Sequence, residues 1–337
     1  MPAVPITIRI MKSSVFPLLR LLSDGEFHSG EALAAQFGLS RGAVWYQVRR
    51  AEQVGLKVFK VRGRGYRLSR PLDLLDARRL AELLASAAPR MSATVLEECD
   101  STSAELARNE AAAHGAVVTC EYQHAGRGRR GNTWHSGVGT GLTFSFKWRF
   151  SQGSSGLSGL SLAVSVAVVT ALESLGYRGI DLKWPNDLQH AGRKLGGILV
   201  EVRGDPQGPV AVIVGIGLNV NLPQELKAVI DQPVTDLATV RSGAGSTQHA
   251  APDRTTILAA LLSSLQASLE RYEREGFAPF RPLWSGYDVH RGRPVSIRLG
   301  DREIASGEAA GIAEDGAIIV RTAEGERSFH SGEVSVR

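Results

Sequence analysis

Between residues 121 and 134 the chain reads EYQHAGRGRRGNTW. Three arginines, Arg127, Arg129 and Arg130, ride on a backbone jointed at Gly126, Gly128 and Gly131. Guanidinium groups on so loose a backbone can close around an anion, phosphate above all, through charge-assisted hydrogen bonds. The spacing Gly-x-Gly-x-x-Gly formally matches a dinucleotide fingerprint. That loop should open a helix, however, and here glycine-rich sequence and then a strand pattern follow. Nor does Gly-Lys-Ser/Thr follow, so the segment is no Walker loop. An RG-rich nucleic-acid contact and a solvated charged loop are the plain alternatives.

Three further stretches are KWPNDL (183–188), GRKLGGILVE (192–201) and GIGLNVN (215–221). Lys194 stands at the mouth of an apolar strand and is followed by Gly196 and Gly197. Glycines there let a ligand lie against the backbone. A lysine beside them can stabilise charge on a carboxylate or an α-phosphate. The competing reading is a strand-edge lysine that blocks edge pairing. Asn186 and Asp187 either hold a metal–phosphate group or build a turn, and for Asn219 the turn stands open as well.

Short apolar runs must position these segments. MSATVLEECD, GAVVTCEYQ, GLTFSFKWRF, DLKW, KLGGILVEV and PVAVIVGIGLNVN read as strands. Asp100, Ser101 or Thr102 can cap a helix over SAELARNEAAAH. GLSGLSLAVSVAVVTALESLG is apolar almost all round, which predicts a buried helix, and TTILAALLSSLQASLERYERE is long and amphipathic. The order suggests a mixed sheet with packed helices, an α+β body. RSGAGSTQHAAPDR reads as a surface loop, and the final segment alternates and turns like a small β-barrel.

The N-terminal piece differs in charge. Residues 1–70 hold 12 Lys/Arg against 4 Asp/Glu, so they carry +8, while the remainder of the chain is slightly acidic. A basic piece of that kind meets a polyanion. VFPLLRLLSDGEF gives a first helix; Ser29 caps a second, which Gly38 ends; Ser40 caps a third, RGAVWYQVRRAEQV. Val44, Val48, Ala51 and Val54 form its inward stripe, leaving Arg41, Trp45, Gln47, Arg49 and Arg50 outside. Two strands then flank the turn RGRG. This pattern resembles a winged helix-turn-helix. Its recognition helix would begin at Ser40 and touch base edges with Arg41, Trp45, Gln47 and Arg49, while Arg62, Arg64 and Arg67 on the wing neutralise phosphates. A basic face that binds another protein is the alternative. A helix over LDLLDARRLAELLASAA bridges to the body, with the boundary near residue 70.

The 337 residues suffice for two domains and a small third. With 43% hydrophobic and 22% charged residues the chain is neither disordered nor collagen-like. No apolar run is long enough for a membrane span, and MPAVPITIRIMKSS lacks the pattern of a secretory signal. Cys99 and Cys120 are too few for a disulfide framework or a structural zinc site. A reduced, cytoplasmic compartment and no protein-held metal are expected.

GRGRRGNTW, KWPNDL, GRKLGGILVE and GIGLNVN, in this order, resemble the biotin–protein ligase family. With the N-terminal unit, the resemblance is to its bifunctional members, which are both biotin–[acetyl-CoA-carboxylase] ligase and biotin operon repressor. It runs from about residue 16 to the end and implies three units: a winged helix-turn-helix over 1–70, a class II synthetase-like catalytic unit over 71–285, and an SH3-like β-barrel over 286–337. It implies a two-step reaction with ATP, Mg²⁺ and biotin: formation of biotinyl-5′-AMP, then transfer to a lysine of the biotin carboxyl carrier protein. It further implies binding to biotin operator DNA and a homodimer when biotinyl-AMP is bound. Carried over by motif, Ser101, Thr102 and Ser103 line the biotin pocket, and Gln123 contacts the ureido ring. Arg127, Gly128 and Arg129 serve the phosphoryl centre. Lys194 contacts carboxylate and phosphate, and Trp134 stacks near adenine. Gly197 and Asn219 complete the set. Ser103 stands where the family often has Asn, and Asn132–Thr133 where a basic residue is common. Trp45 and Tyr46 on the recognition helix are also unusual and bear on the operator sequence. A biotin-sensing repressor without turnover and a lipoate-type ligase are the alternatives.

Overall fold

The computed structural model describes residues 8–9, 15–151, 153–204, 209–243, 250–330 and 335–336. A two-residue strand, β1 (Ile8–Arg9), precedes three helices, α1 (Phe16–Leu22), α2 (Gly30–Phe37) and α3 (Arg41–Gln53). The expected caps are present. Ser29 Oγ accepts from Ala32 N at 3.0 Å, Ser40 Oγ from Ala43 N at 3.2 Å, and Gly38 ends α2 at φ 62°. Phe16, Leu19, Leu22, Leu33, Val44 and Val48 close a small core. Strands β2 (Val58–Val61) and β3 (Gly65–Leu68) form the wing hairpin.

The bridging helix begins later than the sequence pattern suggests. Residues 71–76 have no regular secondary structure, and α4 runs Ala77–Ala87 with Asp76 accepting from Arg79 N at 3.0 Å. Two cores compete for the segment: Leu72 is buried among the N-terminal helices and Leu75 in the body. The linker is also tied by a buried ion pair. Arg254 Nη1 donates to Glu121 Oε2 at 2.6 Å and Leu75 N to Glu121 Oε1 at 2.5 Å, while Arg254 Nε reaches Gly141 O at 2.9 Å.

The body follows in order: β4 (Ser92–Cys99), α5 (Thr102–Arg108), β5 (Ala116–Gln123), β6 (Gly141–Phe150), α6 (Leu160–Ser174), β7 (Asp181–Lys183), β8 (Asp187–His190), β9 (Arg193–Gly204), β10 (Val210–Asn219), α7 (Gln224–Ala228), α8 (Leu237–Gly243) and α9 (Arg254–Glu275). Strand order is β1-β4-β5-β6-β10-β9-β8-β7, with β1, β4 and β5 parallel and the other pairs antiparallel. Two expectations shift. Helix α5 stops at Arg108 rather than near His114, because Asn109 turns the chain and buries Ala112 beside Leu106 and Ile213. KWPNDL is a hairpin, with Asp187 opening β8 rather than sitting in an isolated turn. The loop expected over 241–254 is taken up at its start by α8, and 244–249 lie outside the described residues.

Alternation along β6 sorts the sheet into two faces. Phe144, Phe146 and Trp148 point into the main core with α6 and α9. Thr143, Ser145 and Lys147 point the other way, where α5 crosses. Helix α6 is buried over most of its surface, as its composition predicts, with Thr170 and Ser174 exposed. Then α10 (Arg281–Tyr287) leads to β11 (Pro294–Leu299), β12 (Arg302–Ile312), β13 (Ile318–Thr322), β14 (Gly325–Phe329) and β15 (Ser335–Val336), an antiparallel sheet ordered β14-β13-β12-β11-β15. Val295, Ile297, Ile318 and Val320 join the main core, and Trp184 Nε1 donates to Gly316 O at 3.0 Å.

Candidate active site

A cleft of about 410 Å³ opens on the α5 face of the sheet. Ser101, Thr102, Ser103, Gln123, Arg127, Gly128, Arg129, Trp134, Lys194 and Gly197 all line it. These residues are scattered over nearly one hundred positions, and the sheet brings them together. Asn219 does not line the cleft. Its Nδ2 donates to Thr235 O at 3.0 Å and Lys194 O at 3.4 Å, so it supports the backbone that carries Lys194.

One end of the cleft is a knot of hydroxyls. Ser145 Oγ lies 2.8 Å from both Thr102 Oγ1 and Ser103 Oγ, and all three residues are buried. Gln123 Oε1 accepts from Thr102 N at 2.8 Å. Below them Gly215 leaves room for the knot: a Cβ there would come 2.7 Å from Ser103 Oγ. Helix α5, which supplies two of the hydroxyls, is clasped lengthwise by Arg108, whose Nη1 and Nη2 reach Asp100 Oδ2 and Oδ1 at 2.7 and 2.8 Å. Those hydrogen bonds hold the Asp100 carboxyl well below the usual carboxylate range.

The other end is cationic. Lys194 Nζ sits 2.9 Å from Asp187 Oδ1. Arg129 Nη1 donates to Asn186 Oδ1 at 3.0 Å, and Asn186 Nδ2 in turn donates to Ile198 O at 2.5 Å. Hairpin β7–β8 thus fixes Arg129 against β9. Burial, and then the adjoining Arg130 charge, push the Arg129 guanidinium down from its ordinary value, though it stays a cation. Arg127 Nη2 reaches Glu201 Oε2 at 3.4 Å. The arginine loop folds on itself, with Gly128 N donating to Asn132 O at 2.7 Å and Trp134 N to Gly126 O at 2.9 Å. Arg130 is held at φ 55°, a left-handed conformation costing about 1–3 kcal/mol for a non-glycine residue. Asn132 and Thr133 are exposed at its outer edge. The indole of Trp134 lies flat on Gly217.

Lining residues that the sequence does not single out are Thr143, Ser145, Asn186 as a direct partner of Arg129, Gly215, Gly217, and Gly300 and Asp301 from the C-terminal sheet. Alternation in GLTFSFKWRF was the signal for Thr143 and Ser145, the polar positions between aromatic ones.

In the N-terminal unit, Ser40 is the cap of α3, and Arg41, Trp45, Arg49, Arg62 and Arg64 are exposed. Arg41 forms an ion pair with Glu31. The Arg64 guanidinium stacks on Phe27 at 4.2 Å. Gln47 departs from expectation: it is half-buried with Oε1 enclosed, because the exposed face of α3 runs through residues 42, 45, 46 and 49.

Residues 95–221 match the biotin/lipoate A/B protein ligase family, 290–337 the biotin protein ligase C-terminal domain, and 16–67 a helix-turn-helix domain. The chain is 38% identical over 330 residues to the bifunctional ligase/repressor BirA of Salmonella typhimurium, covering 97% of this chain and 99% of that one. The chain belongs to the biotin protein ligase family. It is also 33% identical to the biotin–[acetyl-CoA-carboxylase] ligase of Paracoccus denitrificans, over 71% of this chain and 98% of the other. Among solved structures, biotin protein ligase from Aquifex aeolicus in complex with biotin and ATP is similar with a TM-score of 0.61 and 30% identity, covering 73% of this chain and 98% of that one. The resemblance read from the four motifs is borne out, as is the three-part α+β organisation of such ligases. Among the described residues no helix is long and apolar enough to cross a membrane.

Proposed function

We propose that this chain is an ATP-dependent biotin–protein ligase that doubles as a biotin-responsive repressor. The observation that carries the first role is the bipolar cleft, with three hydroxyls gathered at one end and Lys194, Arg127 and Arg129 at the other. Buried hydroxyls demand a polar partner, and the ureido ring of biotin offers both donors and an acceptor. The valeryl chain then lies along Gly197 and Gly215, which points the carboxylate at Lys194.

In the first step a carboxylate oxygen attacks the α-phosphorus of ATP, an O–P bond forms, and pyrophosphate leaves. Lys194 and Arg129 offset the charge that builds on the α-phosphoryl oxygens. Trp134 stacks on adenine with the face turned away from Gly217. In the second step the amine of a carrier-domain lysine attacks the acyl carbon, the acyl–phosphate bond breaks, and AMP leaves. Between the steps the arginine loop keeps water from the mixed anhydride. Mg²⁺ belongs with the nucleotide as part of the substrate. Among the described residues no three His, Cys, Asp or Glu side chains gather to hold a resident ion, and Asp187 is already turned to Lys194.

The second role rests on the helix-turn-helix with its exposed arginines. The adenylate orders the arginine loop, ordered loops complete a homodimer surface, and the dimer presents two recognition helices to operator DNA. The acceptor is the biotin carboxyl carrier protein, and the compartment is cytoplasmic. Units 1–70, 71–285 and 286–337 divide these tasks.

Lipoate is the competing substrate, since the matched family covers both ligase types. The hydroxyl knot disfavours it: two hydrogen bonds link the three hydroxyls, and the O–H donor and lone pairs left over have partners on a ureido ring but none on a dithiolane. The test is incubation with ATP, labelled biotin and a carrier domain. Label on the carrier lysine, undiminished by excess lipoate, is expected. No label on the carrier from biotin, with labelled lipoate transferred in its place, would reverse the assignment.

A further inference from the structure

Trp45 is 52% and Tyr46 59% exposed, on the outward face of α3 opposite the buried Val44, Val48 and Ala51. Other aromatic rings of this unit are occupied by cations: Phe27 carries Arg64 and Arg67 at 4.2 and 4.8 Å, and Phe59 carries Arg67 and Lys57 at 5.3 and 5.7 Å. Trp45 and Tyr46 are the most exposed rings of the unit, an apolar strip between two exposed arginines. Gly42 precedes the strip and leaves the first turn of the face smooth. Arg49 follows it and lies 5.7 Å from the Trp45 ring centroid.

We propose that Trp45 and Tyr46 read the 5-methyl groups of thymines in the major groove, so that this protein's operator preference is set partly by apolar contact. The inference rests on the DNA-binding reading above. Charge complementarity selects the occupant. The unit carries +8 over residues 1–70, and Arg41 and Arg49 bracket the strip eight positions apart, about 12 Å along the helix. Arg41 is paired with Glu31, and Arg49 lies 3.8 Å from Glu52, so a partner must offer negative charge strong enough to draw both guanidinium groups from those carboxylates, beside an apolar band. The major groove does so at that scale: phosphates line its walls about 12 Å apart, and the thymine methyl is the apolar group on its floor. Polar readout by this face is correspondingly poor, since Gln47 is turned inward with Oε1 enclosed.

The full chain, with biotin and ATP, is used to enrich duplexes from a random pool. Each thymine of the selected duplex is then replaced in turn by deoxyuridine, which lacks only the methyl group. Binding is expected to weaken about 3- to 5-fold at each contacted position, the equivalent of one lost methyl contact. In Trp45→Ala and Tyr46→Ala chains that penalty should vanish at the position each residue serves. The slope of affinity against salt, set by phosphate contacts, should not change. A urea midpoint equal to wild type shows that these exposed substitutions leave the unit folded. Equal binding of thymine and deoxyuridine duplexes overturns the proposal alone, and so does a penalty that persists in Trp45→Ala. Failure to enrich any duplex overturns it together with the DNA-binding reading.

Discussion

A Cβ placed on Gly217 would stand 2.3, 2.5 and 2.7 Å from Cε2, Cζ2 and Cδ2 of Trp134. Carbon atoms prefer about 3.5–4.0 Å, so in Gly217→Ala the indole must retreat by about 1 Å or more. The substitution brings no backbone strain, because Gly217 is an ordinary member of β10, paired with Thr143 and Gly197. Its effect therefore passes through the ring. Stacking of a base on an aromatic side chain is worth about 1–3 kcal/mol, so losing it weakens nucleotide binding about 5- to 150-fold. ATP–pyrophosphate exchange at varied ATP and biotin reads this directly. KM for ATP should rise by that factor, and KM for biotin by much less, since the hydroxyl knot lies on other residues. In a Trp134→Ala background the added Gly217→Ala change should do little, as a double-mutant cycle requires of coupled groups. An unchanged KM for ATP, or a full effect without the indole, would refute the stacking role.

Two residues earlier, Gly215→Ala puts a methyl 2.7 Å from Ser103 Oγ. The serine must swing off Ser145, so KM for biotin should rise about 2- to 12-fold, the worth of one hydrogen bond, with ATP unaffected. Arg254→Met strands the buried Glu121 carboxylate and should cost about 3–5 kcal/mol in urea unfolding, while adding Glu121→Gln recovers part of it; a loss under about 1 kcal/mol in the single variant would show that the pair does not tie the linker. His290 is enclosed where the β7–β8 hairpin meets the C-terminal sheet. Burial first, then Lys183 and Arg293, push its pKa down to about 4. The folded state thus prefers neutral imidazole. Its contribution is present above the unfolded value of 6.5 and is lost as pH falls toward 4. That loss is about 1–2 kcal/mol once screening of the half-enclosed ring is allowed for, and His290→Gln should flatten this part of the stability profile. An identical slope in the variant would place the titration elsewhere.

What the sequence disclosed was what acts locally. Ser29, Ser40 and Gly38 announce helix ends because capping is settled within three residues. The arginine loop and the Lys194 segment were legible because cations on glycine-rich backbones have few structural uses. What stayed hidden depends on contacts far along the chain. Residues 71–76 have a helical pattern but form no helix, since Leu72 and Leu75 are drawn into separate cores. Asp187 reads as a turn residue, but pairing with Gly197 makes it the start of β8. Gly215 and Gly217 show their purpose only when Ser103 and Trp134, more than eighty residues away, are seen to occupy the space a side chain would fill. Gln47 lies outside the apolar stripe of α3 but at its flank, and packing half-buries it with Oε1 enclosed.

The central claim is that Lys194 and the arginine loop make and then hold an acyl-phosphate anhydride. Full-length chain is mixed with biotin and ATP labelled at the α-phosphate, without acceptor, and passed rapidly through a desalting column. The account predicts one pyrophosphate released and one labelled biotinyl-adenylate retained per chain, with Lys194→Met forming almost none. Release of no pyrophosphate, or undiminished adenylate in Lys194→Met, would contradict it.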